Sequence, residues 1–226
     1  MRATALFGCP TVERDDIAIE ARRRLAPPTA AAPLEQAVAL RVLIELGMED
    51  ANAHCRERLD SPNRRLRAAA FAGVLRQPAP RQGEALLLQA FADCSAAVQR
   101  LAARSVERGG LAPSLDALLA IHLAAPAVPR MKAMLRAAAL ASPWRQLPFL
   151  LDALRDGVGI DGVAADGVRC LLTQGLRHWQ PGFTTPTDAE RIAVQMRWPG
   201  VAPTIPAEIA SLLAVRLARY DVAVAR

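Results

Sequence analysis

Three histidines, four cysteines and one glycine-spaced run are the residues of this chain whose types and spacing could support site chemistry. A metal centre needs three or four His, Cys, Asp or Glu side chains converging on one point. His54 and Cys55 are adjacent, so on a helix they point about 100° apart. His122 and His178 have no ligand-type residue three or four places away, and Cys9, Cys55, Cys94 and Cys170 contain no C-x-x-C pair. Nucleophilic catalysis needs a Ser or Cys with a positioned base, and no G-x-S-x-G elbow is present. Gly157-Val158-Gly159-Ile160-Asp161-Gly162 has the spacing of a phosphate loop. It follows a helical pattern rather than a strand, so the context of dinucleotide binding is missing and the run reads as a turn. The expectation is no catalytic residue, no metal and no cofactor.

The charged residues point to binding instead. Lys and Arg total 28 against 22 Asp and Glu, for a net charge of +6, and Lys132 is the only lysine. Arginine is a planar fork that grips carboxylate or phosphate with two bonds. No block of five or six like charges occurs, so the excess is dispersed rather than a basic tail, and a general preference for arginine over lysine would give the same excess without function. The cysteines read as reduced thiols in a cytoplasmic protein, since a chain of this length with an apolar core does not need disulfides. Leu6-Phe7-Gly8-Cys9 stands too close to the start to follow the roughly 7–15 apolar residues of a signal segment. The longest uncharged run, Ala117 to Pro129, falls short of the ~18 residues a membrane span needs.

These side chains must be carried by helices. The composition is 52% hydrophobic but only 4% aromatic, so the interior is built from Ala, Leu and Val. Ala and Leu are the strongest helix formers, and strand-favouring aromatics are scarce. Four stretches share one helical template: Leu66-Ala69-Ala70-Gly73-Val74, Val98-Leu101-Ala102-Ser105-Val106, Met131-Met134-Leu135-Ala138-Ala139 and Val168-Leu171-Leu172-Gly175-Leu176. They recur at roughly 32–37 residue intervals, the period of helical-pair repeats, in which each unit hides its neighbour's apolar face. Pro- and Gly-rich breaks fall between the pairs, at 77–80, 109–113 and 142–143. The pattern predicts an all-α superhelix of antiparallel helix pairs. Residues 1–47 form an N-terminal segment and capping helix, 48–177 about four pairs, and 178–226 a Pro-rich loop with C-terminal capping helices. Within that last part, Thr187 and Glu190 are spaced as a capping box for a helix running to about Trp198.

The pairs resemble HEAT repeats, including the HEAT-like type named for phycobilisome lyases. Leu147-Pro148-Phe149-Leu150-Leu151-Asp152 looks like the first helix of such a unit, with Pro148 near its start. Asp60 to Ala70 and Asp93 to Ala102 look like its turn and second helix. Gln99 and Lys132 stand where Arg is usual, and Ala127 where Asp is usual. The resemblance implies that Asp60, Asp93, Arg67, Lys132 and Arg169 form a ladder cementing neighbouring units. It also implies that Phe71, Arg100, Arg104, Arg136 and Arg177 face solvent on the concave side, where they would bind another protein with an acidic face. The function expected is therefore a non-enzymatic scaffold or adaptor, with no membrane partner. The alternative is nucleic-acid binding, by likeness to HEAT-like alkylpurine DNA glycosylases. In that reading Asp161 or Asp166 would act beside Trp144 and Trp179 in a basic groove.

Overall fold

The computed structural model describes residues 11–26, 32–76, 83–109, 112–156 and 163–224, and their regular structure is all helix, with no strand among them. Cys9, the Gly157–Gly162 run and Asp161 lie outside the described residues. The chain divides into two compact units, Met1–Ser105 and Val106–Arg226. No described helix is long and apolar enough to cross a membrane.

The first unit carries α1 (Thr11–Leu25), α2 (Pro33–Glu45), α3 (Ala51–Arg56), α4 (Arg64–Val74), α5 (Gly83–Ala92) and most of α6 (Ala96–Glu107). Gly47 closes α2 at φ +68°. There the Met48 N–H reaches Leu43 O at 3.0 Å and the Gly47 N–H reaches Ile44 O at 3.1 Å, the paired bonds that satisfy a helix's last carbonyls. Asn63 caps α4, its side chain accepting from the Arg65 and Leu66 N–H groups at 3.0 and 3.3 Å. Helix α2 packs on α1, α3 and α4, and α3 packs on α4. The template places Leu66, Ala69, Ala70 and Val74 are buried as their spacing requires. Gly73 is small because a Cβ there would collide with Cys55 Sγ and come within 2.9 Å of Ile44.

Phe71 is corrected. It is fully buried and faces no solvent, because α2 and α3 both cover α4 and widen its buried arc beyond the five template places.

The second unit contains α7 (Leu115–Ala124), α8 (Val128–Ala138), α9 (Pro143–Asp156), α10 (Val163–His178), α11 (Asp188–Val201), a 3-10 turn (Ala202–Thr204) and α12 (Ala207–Ala218). Alternate helices pack in succession: α7 on α9 and α9 on α11, then α8 on α10 and α10 on α12, with α7 on α8 and α9 on α10 linking the two rows. Val168, Leu172 and Leu176 of the last template are buried, as are Met131, Met134 and Ala138. Two prolines sit deeper than their expected places. Pro148 lies inside α9, because the helix starts earlier: Ser142 O accepts from the Arg145 and Gln146 N–H groups, both at 2.9 Å. Pro199 lies inside α11, which continues past Trp198 so that Val201 is buried with it. Each proline forfeits one backbone bond, and buried neighbours on the same helix offset the loss. The expected capping box is present, with Thr187 and Glu190 exchanging both bonds.

Candidate functional site

The first unit has an open groove of about 870 Å3 between the outer stripe of α2 and the first turns of α4 and α6. Its chemistry follows from which side chains those elements leave uncovered. Helix α2 buries Ala37, Ala39, Leu40 and Leu43, so Leu34, Val38 and Arg41, at i, i+4 and i+7, turn outward. Leu34 and Val38 remain 54% and 52% exposed. Arg64 and Arg65 open α4, Arg100 lies one turn into α6, and no carboxylate lines the groove.

Two features mark these arginines. Arg64 and Arg65 stand in the first turn of a helix, where a cation opposes the dipole by about 0.3–1 kcal/mol. Local choices that cost stability without an internal partner are expected at functional or strained sites. Second, many arginines elsewhere are paired, although Arg145, Arg169, Arg177 and Arg219 form no ion pair with a described residue. Arg22 meets Asp50 at 2.6 Å, Arg67 meets Asp93 at 2.8 Å, Arg136 meets Glu107 at 2.8 Å and Arg197 meets Asp152 at 2.6 Å. Among the described residues, Arg41, Arg64, Arg65 and Arg100 make no such pair.

Of the residues singled out from the sequence, Arg100 lines this groove, and Arg104 is exposed one helical turn further along α6. Arg136 and Arg177 are exposed in the second unit, and Arg136 spends both donors of its fork on Glu107, at 2.8 and 2.9 Å. The expected ladder has one full rung. Arg67 donates to both oxygens of Asp93, at 2.8 and 3.3 Å, and to Ser61 O at 2.7 Å. Asp60 accepts from Gln89 at 3.2 Å instead of from an arginine. Lys132 and Arg169 are exposed and form no ion pair with a described residue. For Lys132 the turn before its helix carries Ala127 where an acid would be needed.

The chemistry-bearing candidates are dispersed. Trp144 and Trp179 are buried, and each donates its ring N–H to a backbone carbonyl, Thr184 O at 2.9 Å and Pro143 O at 2.8 Å. They meet edge-to-face with centroids 5.3 Å apart, so neither offers a face for base stacking, while Asp166 is exposed in the first turn of α10. His122 is buried with neither ring nitrogen bonded. Burial, with Arg130 adding repulsion, pushes its pKa below the ordinary value. Burial likewise pushes the Cys55 thiol up to about 11, which leaves it un-ionised and inert at neutral pH. Among the described residues no group of three or more His, Cys, Asp or Glu is arranged to hold a metal ion.

Sequence reasoning missed Leu34, Val38, Arg41, Arg64 and Arg65. The available signal was a second i, i+4, i+7 stripe on a helix that already had a core stripe, and paired arginines opening a helix. No protein-family model, no curated protein and no solved structure matches the chain.

Proposed function

We propose that this protein is a non-enzymatic interaction module, a scaffold or adaptor built as an α-solenoid of HEAT-like pairs, that binds an acidic partner protein in the groove of its first unit. The succession of alternate helices in the second unit and the Arg67–Asp93 tie between α4 and the α5–α6 turn support the solenoid reading. The single observation that carries the binding role is the set of four unpaired guanidinium groups around Leu34 and Val38. Arginine is among the residues enriched at protein-binding hot spots, and the exposed apolar side chains beside it offer surface to bury on association. A protein partner fits better than nucleic acid, because Phe71 and Phe91 are both buried and, among the described residues of this unit, leave no ring for stacking on bases. In this reading the thiols stay reduced and the protein works in the cytoplasm.

The test compares the intact chain with an Arg41→Ala, Arg64→Ala, Arg65→Ala, Arg100→Ala variant. A labelled peptide of glutamate interspersed with leucine is titrated into each, and duplex DNA is run in parallel. The proposal requires peptide binding that the variant weakens at least tenfold without lowering its melting midpoint. Equal binding by the variant would remove the groove as the site. Retardation of duplex DNA that falls steeply with salt, without peptide binding, would transfer the function to nucleic acid.

A further inference from the structure

The second unit holds an aromatic side chain in the open on a backbone that is locked in place. Phe183 is fully exposed, whereas Phe71, Phe91, Trp144, Phe149, Trp179 and Trp198 are all buried. The loop that carries it, between α10 and α11, is fastened on both sides of the ring. Before it, Arg216 donates to Trp179 O and, at 3.1 Å, to Arg177 O. Pro181 is buried, and Pro181 O accepts from Thr184 Oγ1 at 2.7 Å. Immediately beside it, Gly182 takes φ +59° and its carbonyl accepts from the Tyr220 hydroxyl at 2.8 Å. After it, Thr184 O accepts the Trp144 ring N–H. The rings of Trp144 and Tyr220 touch at 5.2 Å, so the loop rests on the unit's own core.

A loop anchored this way has already lost its conformational freedom before any partner arrives. Only the Phe183 side chain remains to be ordered on contact, and rigid presentation of a large apolar group is what lowers the entropic cost of association. A cleft of about 490 Å3 runs beside the ring, with Arg216, Arg219 and Tyr220 on its walls and no carboxylate among its lining residues. Arg219 is exposed and forms no ion pair with a described residue.

We propose that Phe183 is a preset anchor by which the second unit engages an acidic protein surface, whose apolar side chains close over the ring while its carboxylates meet Arg219 and Arg216. Charge decides the chemistry of the occupant, since the cleft offers guanidinium groups and no counter-charge. Two guanidinium groups beside a single ring are too few to track a phosphate backbone. This anchor is separate from the groove of the first unit and stands whether or not that groove binds.

The experiment uses the full chain with Arg41→Ala, Arg64→Ala, Arg65→Ala and Arg100→Ala, so that the groove does not contribute. A fluorescein-labelled peptide of alternating aspartate and leucine is titrated by anisotropy, and phosphatidylserine vesicles are tested by co-sedimentation. Phe183→Ser should weaken peptide binding at least fivefold, Phe183→Leu should retain most of it, and Arg219→Glu should match Phe183→Ser. All three should keep the parent melting midpoint, because neither side chain is packed. Absence of peptide binding by the parent, or equal affinity of Phe183→Ser, would overturn the proposal. So would Phe183-dependent binding to vesicles alone, which makes the ring a membrane contact, or a wild-type dimer lost in Phe183→Ser, which makes it a contact between copies.

Discussion

His122 and Cys55 illustrate how burial sets the chemistry of single residues here. Both ring nitrogens of His122 are enclosed without a bonding partner, and protonation would place a second cation beside Arg130. The native state therefore resists a proton that the unfolded chain accepts near the ordinary value of 6.5. Its contribution to stability is fully present above that pH and is lost as pH falls below it, with a limiting slope of about 1.4 kcal/mol per pH unit. Thermal melts at about pH 7.5 and pH 5.5 should show a drop for the wild type that His122→Leu reduces. An identical drop in both would show that His122 does not titrate in that range. Cys55 is the converse case, a thiol held protonated. In a Cys9→Ser, Cys94→Ser, Cys170→Ser chain, iodoacetamide at about pH 8 should label Cys55 only after denaturant is added.

At the scale of elements, contacts between α4 and its neighbours are close enough to be sensitive to one methyl group. Gly73→Ala forces Cys55 and Ile44 to move, and overpacking of this kind costs about 1–3 kcal/mol. A Cβ at Gly175 would stand 3.2 Å from Leu150 and 3.9 Å from Leu135, flexible ends that can give way, so Gly175→Ala should cost less. Urea melts of the two variants rank them, and the reverse order would contradict the packing described. The Arg67–Asp93 rung is nearly enclosed, its side chains 12% and 8% exposed. Removing one member leaves the other desolvated, so Arg67→Ala should destabilise by about 3 kcal/mol, while a double Arg67→Met, Asp93→Ala replacement should recover part of that. Elements were legible wherever local chemistry governs them: Gly47 ends α2, Thr187 and Glu190 start α11, and the template stripes face inward except at Ala139, which lies just past the end of α8 and is exposed. Pro148 and Pro199 were misplaced because a proline's tolerance inside a helix depends on partners in other elements.

For the whole molecule, the main helix pairings join elements no more than two places apart along the chain. Local contacts of this kind close only short loops, which favours fast folding. Stopped-flow refolding should place the main phase in the millisecond range or faster, and a main phase of many seconds would imply long-range contacts that these pairings do not contain. The chain, of net charge +6, holds both arginines neutralised within the fold and arginines without an ion pair among the described residues, and sequence spacing does not separate the two classes. Arg136 and Arg100 are both exposed helix arginines, yet Glu107 pairs with the first and no described residue forms an ion pair with the second.

Helix content, most of the inward stripes and the Thr187–Glu190 capping box were determined by the sequence alone, because each depends on residues within about two turns of one another. Tertiary structure decided the burial of Phe71, the exposure of Leu34 and Val38, and the display of Phe183. Each depends on which element lies alongside, and a helix carrying apolar residues on more than one face does not encode locally which of them its neighbours will cover.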